Sequence, residues 1–122
     1  MACVVLMTGS QAIQAGRASH PTCYGCASKA EIAEGKRVVR EVFGLGYAGR
    51  VAACIVGRES GWNPFAVSAT GDHGLFQFNR LAHPWLDMSR IYEIRFNVRL
   101  AWRMSRHGTN WGPWSGGTYA CS

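Results

Sequence analysis

The chain is poor in negative charge. Its 122 residues include seven Asp and Glu against 13 Lys and Arg, a formal net charge of +6. Any chemistry that needs a carboxyl must draw on Glu31, Glu34, Glu41, Glu59, Asp72, Asp87 or Glu93. Long apolar runs are also missing. No stretch approaches the ~20 residues of a membrane-spanning helix, so no integral membrane segment is expected. The Cys23-Tyr24-Gly25-Cys26 spacing resembles half of a metal knuckle, but no second CxxC or HxxxH pair completes the four ligands that zinc requires. No metal and no cofactor is therefore expected. The apolar start, Met1 to Met7, has no basic n-region and makes a poor signal peptide. There is no internal repeat and no low-complexity tract.

The residues that are present define a class. A hydrophobic content of 48% excludes wholesale disorder. The length fits one domain with a core of its own. Eleven of the 13 cations are Arg, and the pI near 9.4 favours polyanions: nucleic acid, anionic lipid or anionic cell-wall polymers. No nucleic-acid motif or basic–aromatic groove pattern accompanies the charge, so nucleic acid is not the expected partner. The five cysteines, Cys3, Cys23, Cys26, Cys54 and Cys121, give two disulfides and a spare thiol in an exported chain, or five thiols in a reducing one.

Residues 1–28 read as an irregular extension punctuated by Gly9, Gly16, Pro21 and Gly25. Ser28 followed by Glu31 has capping-box spacing. A helix is expected from Lys29 to Phe43, with Ile32, Val39, Val42 and Phe43 at helical intervals, ended by Gly44-Leu45-Gly46. A second is expected over Tyr47–Ser60, with Val51, Ala52, Ile55 and Val56 as its apolar stripe and Gly61 as terminator. Residues 62–79 break the pattern. There Phe76 and Phe78 alternate with Gln77 and Asn79, which predicts a loop and then a short strand or hairpin. Leu81 to Ser89 reads as one or two short turns with Pro84 at a helix start. A third helix is expected over Tyr92–Arg106. Phe96, Leu100 and Met104 recur on one face, Arg95, Arg99, Arg103 and Arg106 line another, and Gly108 stops it. All five tryptophans lie beyond residue 60, which points to the second half of the chain for function.

Chemistry concentrates between Glu59 and Asn79. Glu59 ends the apolar stripe of the second helix. A helix C-terminus and a core-facing position both disfavour a charged carboxylate, so its pKa is expected to rise. Asp72 follows thirteen residues later, beyond a Gly-rich loop containing Ser68. Gln77 and Asn79 share parity, and a strand would point both to one face. Their amides offer paired donors and acceptors, and the nearby rings offer flat apolar surface. An acid, amides and aromatics together suit a sugar polymer, and a carboxyl kept protonated near neutral pH is what general acid catalysis at a glycosidic bond needs.

The order Glu59-Ser60-Gly61-x-Asn63-Pro64, then Ser68, then Gly74-Leu75-Phe76-Gln77 resembles the signature of the lysozyme-like superfamily. It is most similar to the soluble lytic transglycosylase-type domains of phage and actinobacterial proteins. Asn97 and the Trp111-Gly112-Pro113-Trp114 tail resemble their counterparts there. The resemblance covers roughly residues 37–121. It implies a mainly α (α+β) lysozyme-like fold, with helices around a catalytic cleft and a short β-hairpin. The domain would span 29–122, after the extension 1–28. The implied activity is cleavage of the β-1,4 bond between N-acetylmuramic acid and N-acetylglucosamine in peptidoglycan, with Glu59 as general acid. Ser68, Gln77, Asn79, Trp111 and Tyr119 would contact substrate. Two features resemble c-type lysozymes. Asp72-His73-Gly74 through Asn79 is similar to their second-carboxylate segment, and Cys54 matches a cysteine whose partner here would be Cys121. The full cysteine set of that family is absent, and the Glu-to-Asp interval is shorter.

Two mechanisms stay open. A second carboxylate ~5–5.5 Å from the acid supports retaining hydrolysis, a rule for which lysozyme is itself the type case. If Asp72 points away, Glu59 works alone and the muramic 6-hydroxyl displaces the leaving group, as in lytic transglycosylases. Two other classes compete: a non-catalytic glycan-binding module, and a basic polyanion or membrane binder. The expected setting is extracellular and cell-wall acting, secreted or virion-associated. The partners would be peptidoglycan and anionic cell-wall polymers, and the protein a monomer.

Overall fold

The computed structural model describes residues 26–114 and Cys121. Cys3, Cys23 and Tyr119, with most of the N-terminal extension, lie outside the described residues. Helix α1 spans Lys29–Phe43. Its start is the capping box read from sequence: the Ser28 hydroxyl accepts from the Glu31 N–H at 3.2 Å, and the Ser28 N–H donates to Glu31 Oε2 at 2.7 Å. Two orphan donors of the first turn are thereby satisfied. The helix stops at Gly44, whose φ of 82° is open to glycine. Helix α2 spans Tyr47–Glu59 and begins hard against that corner. A Cβ on Gly49 would lie 1.8 Å from the Gly44 carbonyl oxygen, so only glycine lets the two helices meet there.

Between α2 and the last helix lies a small antiparallel hairpin. Strand β1 is Asp72–His73 and β2 is Phe78–Asn79, with Asp72 opposite Asn79 and His73 opposite Phe78. Val67 bridges His73 from the other side. The four-residue turn between the strands corrects one sequence expectation. Gln77 has φ 56° and belongs to the turn, so it does not share a strand face with Asn79. Residues 81–89 form turns, and no helix starts at Pro84.

Helix α3 spans Ile94–Met104, shorter at both ends than its apolar spacing suggests. Glu93 is the N-cap, and after Ser105 the chain turns left-handed through Arg106, His107 and Gly108. Its buried face is Asn97, Val98, Leu100 and Ala101, with Phe96 and Met104 only at the margin. A 3-10 turn, Gly112–Trp114, closes the described chain.

The core joins Val38, Val39 and Phe43 of α1 to Val51, Ala52, Ile55 and Val56 of α2. Leu75, Phe76 and Phe78 enter from the hairpin, and Val98, Leu100 and Ala101 from α3. Phe76 is fully buried at its centre, with ring centroids of Phe43 and Trp114 within 5.9 Å. Side chains also hold its peptide groups. Asn97 Oδ1 accepts from the Phe76 N–H, Asn97 Nδ2 donates to the Ile91 carbonyl, and Trp114 Nε1 donates to the Phe76 carbonyl, each at 2.9 Å. A disulfide joins Cys54 of α2 to Cys121. Closing a loop of 67 residues in the unfolded chain is worth roughly 4 kcal/mol on a chain-entropy argument. Cys26 is also disulfide-bonded.

Replacing Asn97 by Ala orphans the buried Phe76 N–H and Ile91 carbonyl together. The expected cost is about 2–5 kcal/mol of unfolding free energy, measured by urea denaturation.

Candidate active site

Glu59 is the last residue of α2, where the helix presents unsatisfied carbonyls and the negative end of its dipole. The turn beyond it is tight. Ser60 caps the helix, its N–H and its hydroxyl both donating to the Val56 carbonyl. Gly61 and Trp62 then take left-handed φ values of 59° and 67°. That conformation is costly for Trp62, and packing compensates for it. Its ring lies over two glycines: a Cβ on Gly35 of α1 would stand 3.5 Å from it, and one on Gly57 of α2 3.6 Å. The Lys36 ammonium sits 5.6 Å from the ring centroid. Asn63 is buried and its side chain accepts from the Phe65 N–H, turning the chain towards Val67 and the hairpin.

Asp72 stands at the start of β1 within a cage of donors. Ser68 Oγ and Thr70 Oγ1 each donate to Oδ2 at 2.7 Å, and Asn79 Nδ2 donates to Oδ1 at 2.9 Å. Burial pushes the Asp72 pKa up, but these hydrogen bonds, led by Thr70, outweigh it with help from the nearby His73. The carboxyl lies below the ordinary Asp range. Glu59 goes the other way. Partial burial of its carboxyl raises its pKa, the negative charge of Asp72 raises it further, and Arg58 only partly opposes them. The residue as a whole is exposed, so it sits at a rim with protein on one side and solvent on the other. Among the described residues no hydrogen bond or ion pair stabilises its charged form. The surroundings of Asp72 thus favour its ionised form, and those of Glu59 favour its protonated form.

His73 follows Asp72. Its Nδ1 lies 2.7 Å from the Tyr92 hydroxyl, and burial, with Arg80, depresses its pKa against the pull of Asp72.

The other residues expected at substrate have structural occupations. Ser68 serves Asp72, also accepting its backbone N–H at 3.0 Å. Gln77 Nε2 donates to the Ala66 and Gly74 carbonyls. Asn79 Nδ2 also reaches the Thr70 carbonyl, and its Oδ1 accepts from the Ala82 N–H. Trp111 packs on Phe43 and Trp114, and its buried Nε1 has no hydrogen-bond partner among the described residues. Sequence reasoning missed Thr70 and Tyr92. Thr70 was within reach, because a hydroxyl two residues before an Asp in a Gly-rich loop is a common local donor to it. Nothing short-range marks Tyr92, nineteen residues from His73.

A family described as a lysozyme-like domain matches residues 44–116. The chain belongs to that family. No curated protein and no solved structure matches the chain. The matched stretch runs from the Gly44 corner through α2, the hairpin and α3 to the Gly112–Trp114 turn. Proteins with this lysozyme-like domain generally cleave peptidoglycan. Helix α1 lies outside the match yet supplies the Gly35 seat for Trp62.

The opposed shifts make opposite contributions to stability. Asp72, depressed in the folded state, stabilises the fold above its unfolded pKa of about 3.9, and that contribution is lost as pH falls through the folded value. Glu59, raised in the folded state, favours the fold below about pH 4.3 and loses that contribution as pH rises through its folded value. Glu59→Gln is therefore expected to raise the melting temperature at pH 7 and leave it unchanged near pH 3, as thermal melts at the two values will show.

Proposed function

We propose that this protein is a lysozyme-type muramidase that hydrolyses the β-1,4 bond between N-acetylmuramic acid and N-acetylglucosamine in peptidoglycan. One observation carries the reading: Glu59, its pKa raised by burial and by the charge of Asp72, lies near an Asp72 caged by Ser68, Thr70 and Asn79, which hold its pKa down. Two neighbouring carboxyls pushed apart in pKa divide into an acid and an anion, a pattern of which lysozyme is the type case. Glu59 donates its proton to the glycosidic oxygen as the C1–O bond breaks, and the glucosaminyl 4-hydroxyl leaves. Asp72 faces the positive charge that develops at the muramyl C1. Water then adds to C1 and returns a proton to Glu59. With Ser68, Thr70 and Asn79 already donating to its oxygens, Asp72 suits a fixed counter-charge. In this reading Ser68 and Asn79 are positioning residues, and the catalytic domain is 29–122.

The Cys54–Cys121 disulfide fits a protein that works in an oxidising compartment, acting on the wall from outside the cytoplasm.

The test is mass spectrometry of soluble products from purified peptidoglycan. Hydrated muramic reducing ends are expected from wild type, with a loss of about 10²–10⁴ in rate for Glu59→Gln. Anhydro-muramic ends would instead make the protein a lytic transglycosylase and remove Asp72 from the chemistry. Glycan binding with no products would make it a binding module. The rate should follow a bell-shaped pH profile, its acid limb below the ordinary Asp range and its alkaline limb above the ordinary Glu range, from Asp72 and Glu59 respectively.

A further inference from the structure

A second surface lies between α1 and α3 and shares no residue with the Glu59–Asp72 site. It is an open groove of about 970 Å³ whose charged lining is Arg90, Arg95, Arg99, Arg103, Glu41 and Glu93. Two of the arginines are committed. Arg95 donates to Glu41 at 2.8 Å, and with Arg37 it holds that carboxyl below the ordinary Glu range. Arg90 donates to Glu93 at 3.0 Å and stacks 4.6 Å from the Phe96 ring centroid. Arg99 and Arg103 are exposed and have no ion-pair partner among the described residues. They stand one turn apart on one face of α3, about 6 Å from each other, where like charges repel. Four arginines against two glutamates leave the groove at +2.

The shape of the groove and its rings narrow the ligand class. The groove is too large and open for a single small anion. Planar guanidinium groups suit phosphate oxygens. Bases would need free aromatic faces. Here Arg90 covers Phe96, and His107 stacks on Trp102 at 4.7 Å with an interplanar angle of 13°. A lipid surface would need apolar anchors beside the cations. The exposed large apolar residues, Leu45, Tyr47, Leu81 and Trp85, do not line this groove. A flexible chain of phosphodiesters without bases or acyl chains fits the charge and the covered rings of this groove.

We propose that Arg99 and Arg103 bind a linear polyol-phosphate polymer of the bacterial wall, holding the protein on the surface whose glycan it meets elsewhere. Binding of fluorescently labelled poly(glycerol phosphate), free of peptidoglycan, tests this by anisotropy in ~50 mM and ~200 mM salt. The result therefore stands whether or not Glu59 is catalytic. Arg99→Gln/Arg103→Gln should bind about tenfold more weakly, with a shallower salt dependence and no fall in melting temperature. Cleavage of polymer-free peptidoglycan should not change. Absent binding, or equal binding by the double variant, overturns the proposal. So does tighter binding of wild type to duplex DNA or to phosphatidylglycerol vesicles, which would mark the groove as a general polyanion surface.

Discussion

The arrangement of this protein depends on how the backbone of one residue is held on both sides. Phe76 sits in the turn of a hairpin whose strands are two residues each, too short to be stable alone. Its N–H is taken by Asn97 of α3 and its carbonyl by Trp114 of the closing turn, while its ring fills the centre of the core. Gly74, in the same turn, must be a glycine for this to work: a Cβ there would lie 2.3 Å from Asn97 Nδ2. The hairpin is thus nailed to the helices at its tip. The strand carrying Asp72 inherits its position from that tip and not from its own ladder.

The carboxyl pair shows how neighbouring groups are given different chemistry by burial, by local donors and by each other's charge. Asp72 lies in a loop that folds back on itself, so hydroxyls from Ser68 and Thr70 reach it over two to four residues. Glu59 lies at the end of a helix, where the backbone offers carbonyls and no donors. Loop and helix end are both fixed by glycine and asparagine turns, and the two carboxyls come close enough for the charge of one to be felt by the other.

The elements defined by short-range chemistry were legible in the sequence. Helix α1 was readable at both ends, because its capping box and its glycine stop are each set within four residues. Helix α2 and the contrast between Glu59 and its surroundings followed from one apolar stripe and one glycine. The failures have tertiary causes. Apolar spacing placed Phe96 and Met104 on the core face of α3, whereas the helix turns Asn97 inward because the partners of its amide come from the hairpin and the 81–93 segment. Parity put Gln77 and Asn79 on one strand face, but parity presumes continuous strand, and a left-handed residue interrupts it.

Trp62 has a bearing on where this protein begins as a functional unit. The stretch that defines its kinship starts at residue 44, after α1 has ended. Yet the indole three residues past Glu59 leans on Gly35 and lies under the Lys36 ammonium, so the left-handed turn it occupies takes its support from α1 through a missing side chain and one cation. The boundary of common descent and the boundary of mechanical integrity therefore do not coincide. A lineage that exchanged its first helix for another would keep every residue of the signature and still have to reinvent a flat, unsubstituted patch for this ring to rest on.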